Sequence, residues 1–185
     1  MPFEIPVNWK WVQFGDVVNI VSARRVHQSD WKSSGIPFYR AREIAKLAID
    51  GHVDNDLFIS KELYSKFSVS GVPQPGDLMV TAVGTLGKTY IVQPSDVFYY
   101  KDASVICLEN RFGMDSQYLK YIMESDMLWQ QITSNSAGTT VATLTMERMI
   151  KYVIPLPPLA EQKRIVDKLD QLLPLCDYLS EINAY

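Results

Sequence analysis

An α+β fold is predicted for this 185-residue chain: one compact mixed domain with a curved, mostly antiparallel sheet and short helices, followed by a long C-terminal helix of coiled-coil type. Three observations predict it. Apolar runs of strand length, among them Val17-Val-Asn-Ile-Val, Leu78-Met-Val-Thr-Ala-Val and Ser104-Val-Ile-Cys-Leu, are set off by Gly, Pro and Asp. Ser60, Asp115 and Thr145 stand where a side-chain oxygen can cap a helix. From Lys151 onward an apolar segment passes through a proline gate into a periodic apolar stripe.

That last stretch organises the chain. Each proline fixes its own φ and pushes the residue before it out of the α region, so residues 154–158 are extended and a helix begins only after Pro158. Ile165, Leu169, Leu172, Cys176 and Leu179 then alternate steps of four and three, and Asn183 is next in register. Val166, Leu173 and Ile182 form a second row that widens the apolar face. Run to Tyr185, such a helix spans roughly 40 Å, longer than one small domain needs. Its apolar face is expected to be covered, either by its own domain or by a partner. Pro174 removes a helical hydrogen bond at a cost of about 3 kcal/mol; it falls opposite the seam, which allows a kink or a break into two helices.

Composition bounds the class. With 47% hydrophobic and 21% charged residues the chain suits one globular core plus an appended helix. No apolar run reaches membrane-spanning length and Met1-Pro-Phe-Glu-Ile-Pro lacks a basic-then-apolar leader, so a cytoplasmic location is expected. Cys107 and Cys176 lie in apolar patterns without His or Cys at metal-ligand spacing, which predicts two reduced, structural thiols. A net charge of −3 argues against holding nucleic acid by bulk electrostatics. The distribution differs: Arg24, Arg25, Lys32, Arg40, Arg42 and Lys46 face only Asp30 and Glu43 over the same stretch, a local +4. Trp31, Ser33, Ser34, Gly35, Phe38 and Tyr39 are interleaved with them. A basic, aromatic loop of this kind suits contact with DNA at one face, and equally an ordinary solvated loop.

The remaining segments follow in order. Trp9 and Trp11 anchor the start of the chain before the Gly15-Asp16 turn. Polar residues from Asp50 to Asp56 make a link, and Ser60 caps a helix through Phe67 with Ile59 and Tyr64 as a hydrophobic staple. Val72-Pro-Gln-Pro-Gly-Asp is a turn. Gly84-Thr-Leu-Gly-Lys punctuates two strands; its glycines let backbone amides approach an anion beside Lys88, although the spacing is not that of a Walker A loop. Val97-Phe-Tyr-Tyr reads as a strand, and Lys101 and Asp102 lie in the turn after it. Asp115 caps a helix whose inner side carries Leu119, Ile122, Met123, Trp129 and Ile132. Residues 134–143 form a loop rich in hydroxyls, and Thr145 caps a last short helix.

Ile154-Pro-Leu-Pro-Pro-Leu-Ala-Glu-Gln-Lys-Arg-Ile-Val, then Lys168-Leu-Asp-Gln-Leu-Leu and Leu175-Cys-Asp, resemble the segment that closes a target recognition domain and opens a spacer helix in specificity subunits of type I restriction-modification systems. Trp9-Lys-Trp with Gly15-Asp16, Gly35-Ile-Pro, and Pro75-Gly-Asp-Leu with Gly84-Thr-Leu-Gly-Lys resemble further family landmarks. The resemblance implies a recognition domain over residues 1–158 and a spacer or dimerisation helix over 159–185. It implies a chain that is not itself an enzyme but directs modification and restriction subunits to double-stranded DNA. S-adenosylmethionine, ATP and magnesium would then belong to those partners and none to this chain. One half of the family's two-half pattern is present, so either a fragment or a half-subunit that forms a homodimer through Ile165, Leu169, Leu172, Cys176 and Leu179 is implied.

The candidate DNA contacts are Lys32, Tyr39, Arg40, Arg42, Thr85, Lys88, Ser136, Thr139 and Thr140. Arginine suits base edges because its fork can bind guanine bidentately, and the others suit phosphates or polar base edges. The sequence carries no methyltransferase cofactor loop with an Asn/Asp-Pro-Pro-aromatic motif and no nuclease Asp/Glu-x-Lys triplet after Pro-Asp, and His27 and His52 stand isolated. The competing class is a scaffold without DNA function that recruits a protein partner through its C-terminal helix.

Overall fold

A computed structural model describes residues 3–68, 71–134 and 144–182. Its centre is set by two strands whose residues are buried on both faces, β5 (Leu78–Thr81) and β8 (Val105–Glu109). Leu78, Val80, Ile106 and Leu108 enter one apolar core, whereas Met79, Val105 and Cys107 enter a second on the opposite face. This double burial explains why these strands read as continuous apolar runs rather than as alternating ones.

The strands divide among three sheets. β2 (Asn19–Ser22), β8, β5 and β6 (Thr89–Ile91) make an antiparallel sheet in that order. A second sheet runs β4-β3-β7, from β4 (Phe58–Ile59), β3 (Ile36–Tyr39) and β7 (Tyr99–Tyr100), and its β3-β7 pair is parallel. The third pairs β1 (Lys10–Gln13) with β9 (Val153–Leu156). In that pair Trp11 faces Pro155 and Val12 faces Ile154, so the double-tryptophan segment closes on the strand leading into the proline gate.

The helices cover both cores. α1 (Ala41–Asp50) and α2 (Lys61–Phe67) lie on the side of the second core; α3 (Ser116–Glu124), α4 (Asp126–Ser134) and α5 (Met146–Ile150) enclose the first. Ser60, Asp115 and Thr145 cap α2, α3 and α5 as the sequence predicts, each accepting from backbone N–H groups two or three residues on. Four expectations are corrected. The helix after Asp115 is two helices, because Ser125 is extended and its hydroxyl accepts from Leu128 N–H at 3.3 Å. Trp129 is not inside: it sits 39% exposed while Leu119, Ile122, Met123 and Ile132 are buried. Arg42 and Lys46 of the basic stretch stand not in a loop but in α1, and Cys176 is exposed rather than structural.

α6 (Leu159–Ile182) begins directly after the proline gate and continues unbroken through Pro174. Its first turns dock on the body. Gln162, buried, accepts from Asp115 N–H at 2.9 Å and donates to the Pro157 carbonyl at 3.0 Å. Val166 enters the first core with Ile165 against it, and Tyr121 donates its hydroxyl to Asp170. From Leu172 onward the apolar residues Leu172, Leu173, Leu175, Tyr178, Leu179 and Ile182 are all exposed. Of the two readings of the helix, folding back on its own domain holds for the first half, and from Leu172 on the described apolar side chains do not pack on the domain.

Candidate nucleic-acid interface

The site grows from the junction of β3 and α1. Pro37 and Phe38 extend β3, and Arg40 leaves it as the first residue of the helical turn, with its own backbone still extended. Glu43, three residues later, turns back to accept the Arg40 N–H at 2.9 Å. This satisfies a helix-start amide and aims a carboxylate at the same residue's side chain. Arg40 donates from Nε and Nη2 to the two Glu43 oxygens at 3.0 and 2.9 Å. Arg42 donates from Nε to Glu43 Oε1 at 2.8 Å and brings Nη2 to 2.7 Å.

One buried carboxylate thus holds two guanidinium groups. Burial would raise the Glu43 pKa, but hydrogen bonds from Arg40 and Arg42 with the Arg40 charge outweigh it and lower the value to about 2. On the outer side Asp56, an exposed carboxylate from the link before β4, lies 3.0 Å from Arg40 Nη2 and 3.5 Å from Arg42 Nη2. Arg40 is largely covered by these partners; Arg42 remains mostly exposed.

The second part is the turn between β5 and β6. Thr81, fully buried, donates its hydroxyl to the Thr85 carbonyl and accepts from Lys88 N–H at 2.9 Å, which pins both ends of the turn. Gly84 and Gly87 adopt positive φ, +70° and +75°, conformations that L side chains rarely take. The pinned turn faces α1 across a cavity of about 370 Å³ lined by Ala41, Arg42, Ala45, Lys46, Ile49, Val83, Gly84 and Thr85. Ala41, Ala45, Ile49 and Val83 give it an apolar lining, to which Arg42, Lys46 and Thr85 add two cations and a hydroxyl. Such a groove offers an anionic polymer charge at the edge and van der Waals contact within.

The predicted contact residues separate accordingly. Arg42 and Thr85 both line this groove, and Arg40, which does not, shares Asp56 with Arg42. Lys88 leaves the turn on the other side, where Leu86, Gly87, Met123, Glu124 and Trp129 line a second cavity of about 310 Å³. Lys32 is exposed and held at a backbone bridge to Phe58. Tyr39 packs its ring on Phe98 at 4.9 Å; burial first, then Asp96 and Glu43, raises its pKa, so it stays a protonated donor. Ser136, Thr139, Thr140 and Asn183 lie outside the described residues. Of the helix stripe, Ile165 and Leu169 are half-buried and Leu172, Cys176 and Leu179 are exposed.

Sequence reasoning passed over Asp56, Ile49, Val83 and Gln162 as functional positions and counted Glu43 only as a charge. Arg40-Ala-Arg-Glu did carry a signal for Glu43, since a carboxylate three residues after a strand end is placed to cap the helix. Asp56 carried none, because its approach depends on the path of the link.

The arrangement defines a class first. A mixed α+β body with a cation-rimmed groove, continued by a helix that projects an apolar face, has the fold of type I restriction-modification S subunits. It is similar to the HsdS subunit from Thermoanaerobacter tengcongensis, with a TM-score of 0.71 and 22% identity over 100% of this chain and 42% of that one. A chain of a type I R-M complex gives a TM-score of 0.73 at 22% identity, covering 99% and 43%. The family follows from sequence: residues 6–184 match the type I restriction modification DNA specificity domain, and the chain belongs to that family. A Haemophilus influenzae protein named as a type I restriction enzyme specificity subunit is 30% identical over 93% of this chain and 42% of its own length. The EcoAI specificity subunit of Escherichia coli is 25% identical over 98% of this chain. The chain spans 31% to 42% of the length of these two relatives.

Proposed function

We propose that this chain is the sequence-reading half of a type I restriction-modification specificity function. Residues up to 158 bind double-stranded DNA, and α6 carries the chain to a modification subunit and, through the complex, to a restriction subunit. The observation that carries this reading is the groove between α1 and the Gly84 turn, where Arg42, Lys46 and Thr85 stand beside the apolar side chains of Ala41, Ala45, Ile49 and Val83. Arg40 and Arg42 supply forks for guanine edges or phosphates, and Thr85, Lys32 and Lys88 supply point contacts. Ser136, Thr139 and Thr140 are proposed to add hydroxyl contacts. Methyl transfer and cleavage belong to partner chains, which bind S-adenosylmethionine, ATP and magnesium; this chain binds none of them.

The exposed residues Leu172, Cys176 and Leu179 are proposed to pack against a helix of a second copy or of a partner. The same face would serve a scaffold that reads no DNA. Selection from a random duplex pool, with this chain bound to the modification subunit of its own system, separates the two. Recognition predicts enrichment of a defined motif, with Arg42→Ala relaxing one position of it. A complex that forms and enriches no motif supports the scaffold instead.

A further inference from the structure

We propose that Glu43 and Asp56 divide the control of the two arginines between them. Glu43 positions Arg40 and Arg42, and Asp56 occupies the place that a DNA acceptor takes, so that binding exchanges Asp56 for DNA. This rests on the reading of the α1 groove as a DNA interface and deepens it.

The donors point to this division. In both arginines the Nε–Nη2 edge is turned to Glu43, which is 1% exposed and so is not displaced by a ligand arriving from solvent. A buried carboxylate between two cations is costly to leave unpaired, which makes this grip permanent. The outer contact is of the opposite kind. The Asp56 side chain is 73% exposed, reaches only the two Nη2 atoms, and receives no other hydrogen bond or ion pair among the described residues. Neither Nη1 has a hydrogen-bond partner among the described residues.

A phosphate or the O6/N7 pair of guanine needs two donors side by side. The Nη1–Nη2 edge offers them, and Asp56 stands at its Nη2 end. An exposed ion pair is weak enough to exchange. Asp56 therefore neutralises the pair when no DNA is bound and yields to a ligand offering two acceptors, which disfavours weak encounters with the wrong surface.

The test compares wild type, Asp56→Asn and Asp54→Asn, each in complex with the modification subunit, on a mixed-sequence duplex over a salt series. Asp54 is exposed, lines a cavity with Arg42, Glu43 and Lys46, and has no ion pair among the described residues, so it controls for a carboxylate that lies nearby without holding the arginines. Asp56→Asn is expected to bind about two- to five-fold more tightly, the value of releasing an exposed ion pair. Its log K against log salt is expected to steepen by about one, because no displaced carboxylate takes up a cation. Asp54→Asn should change neither to the same extent. Equal gains in the two variants, or no gain in Asp56→Asn, overturn the exchange while leaving DNA recognition standing; failure of every form to bind overturns the underlying reading. An A·T-only duplex identifies the acceptor. A gain that persists there assigns it to phosphate, and a gain that vanishes assigns it to guanine.

Discussion

At N3 of α1, Glu43 accepts from the Arg40 amide and from both guanidinium groups while its side chain is 1% exposed. Its pKa is lowered from 4.5 to about 2. A folded-state value below the unfolded one means that the charged carboxylate stabilises the fold above pH 4.5, and that this contribution is lost as pH falls toward 2. Glu43→Gln is therefore predicted to destabilise the protein at neutral pH by on the order of 3 kcal/mol, with the gap to wild type closing between pH 4.5 and 2. Urea melts at several pH values measure it; a gap independent of pH would show that the charge is not what holds the arginines. Thr81 is a second such position. Its hydroxyl ties the Thr85 carbonyl and the Lys88 N–H together inside the fold. Thr81→Val keeps the shape and strands both groups, with an expected loss of about 1 to 3 kcal/mol in the same melts.

Among the elements, α6 is where packing and projection divide. The buried Gln162 links the α3 start to the proline gate through two hydrogen bonds. Gln162→Leu leaves the Asp115 amide and the Pro157 carbonyl unpaired and should cost about 1 to 3 kcal/mol. Leu172→Asp with Leu179→Asp should leave the melting temperature of the domain unchanged, because both residues are exposed, and abolish association with the modification subunit or a second copy. Loss of folding in that double variant would mean that the second half of the helix packs on its own domain. The proline gate, the three caps and the helix start at Leu159 were legible because each depends on residues within a few positions. The break at Ser125 was not, because Leu119, Ile122, Met123 and Trp129 keep helical spacing across it and only the extended Ser125 backbone separates the helices. That same spacing places Trp129 inside, yet it projects beside Gly87 of the turn.

For the molecule as a whole, the fold brings together segments that the chain keeps apart. The predicted basic loop and the predicted glycine turn both held candidate contacts, and the structure joins Arg42 with Thr85 while sending Lys88 to another cavity. Residue types and turn chemistry were legible; which of them converge depends on α1 packing against β5 and β6, which no local pattern encodes. The parallel pairing of β3 with β7 was likewise out of reach, since it joins segments some sixty residues apart. On the proposed function, this chain would select the DNA and partner chains would perform the chemistry. The most direct measurement is methylation mapping after co-expression with the modification subunit. The account predicts methylation at a split or palindromic motif that disappears when this chain is omitted, a palindrome indicating two copies of one half. A motif that persists without the chain, or a stable complex that methylates no motif, would contradict it.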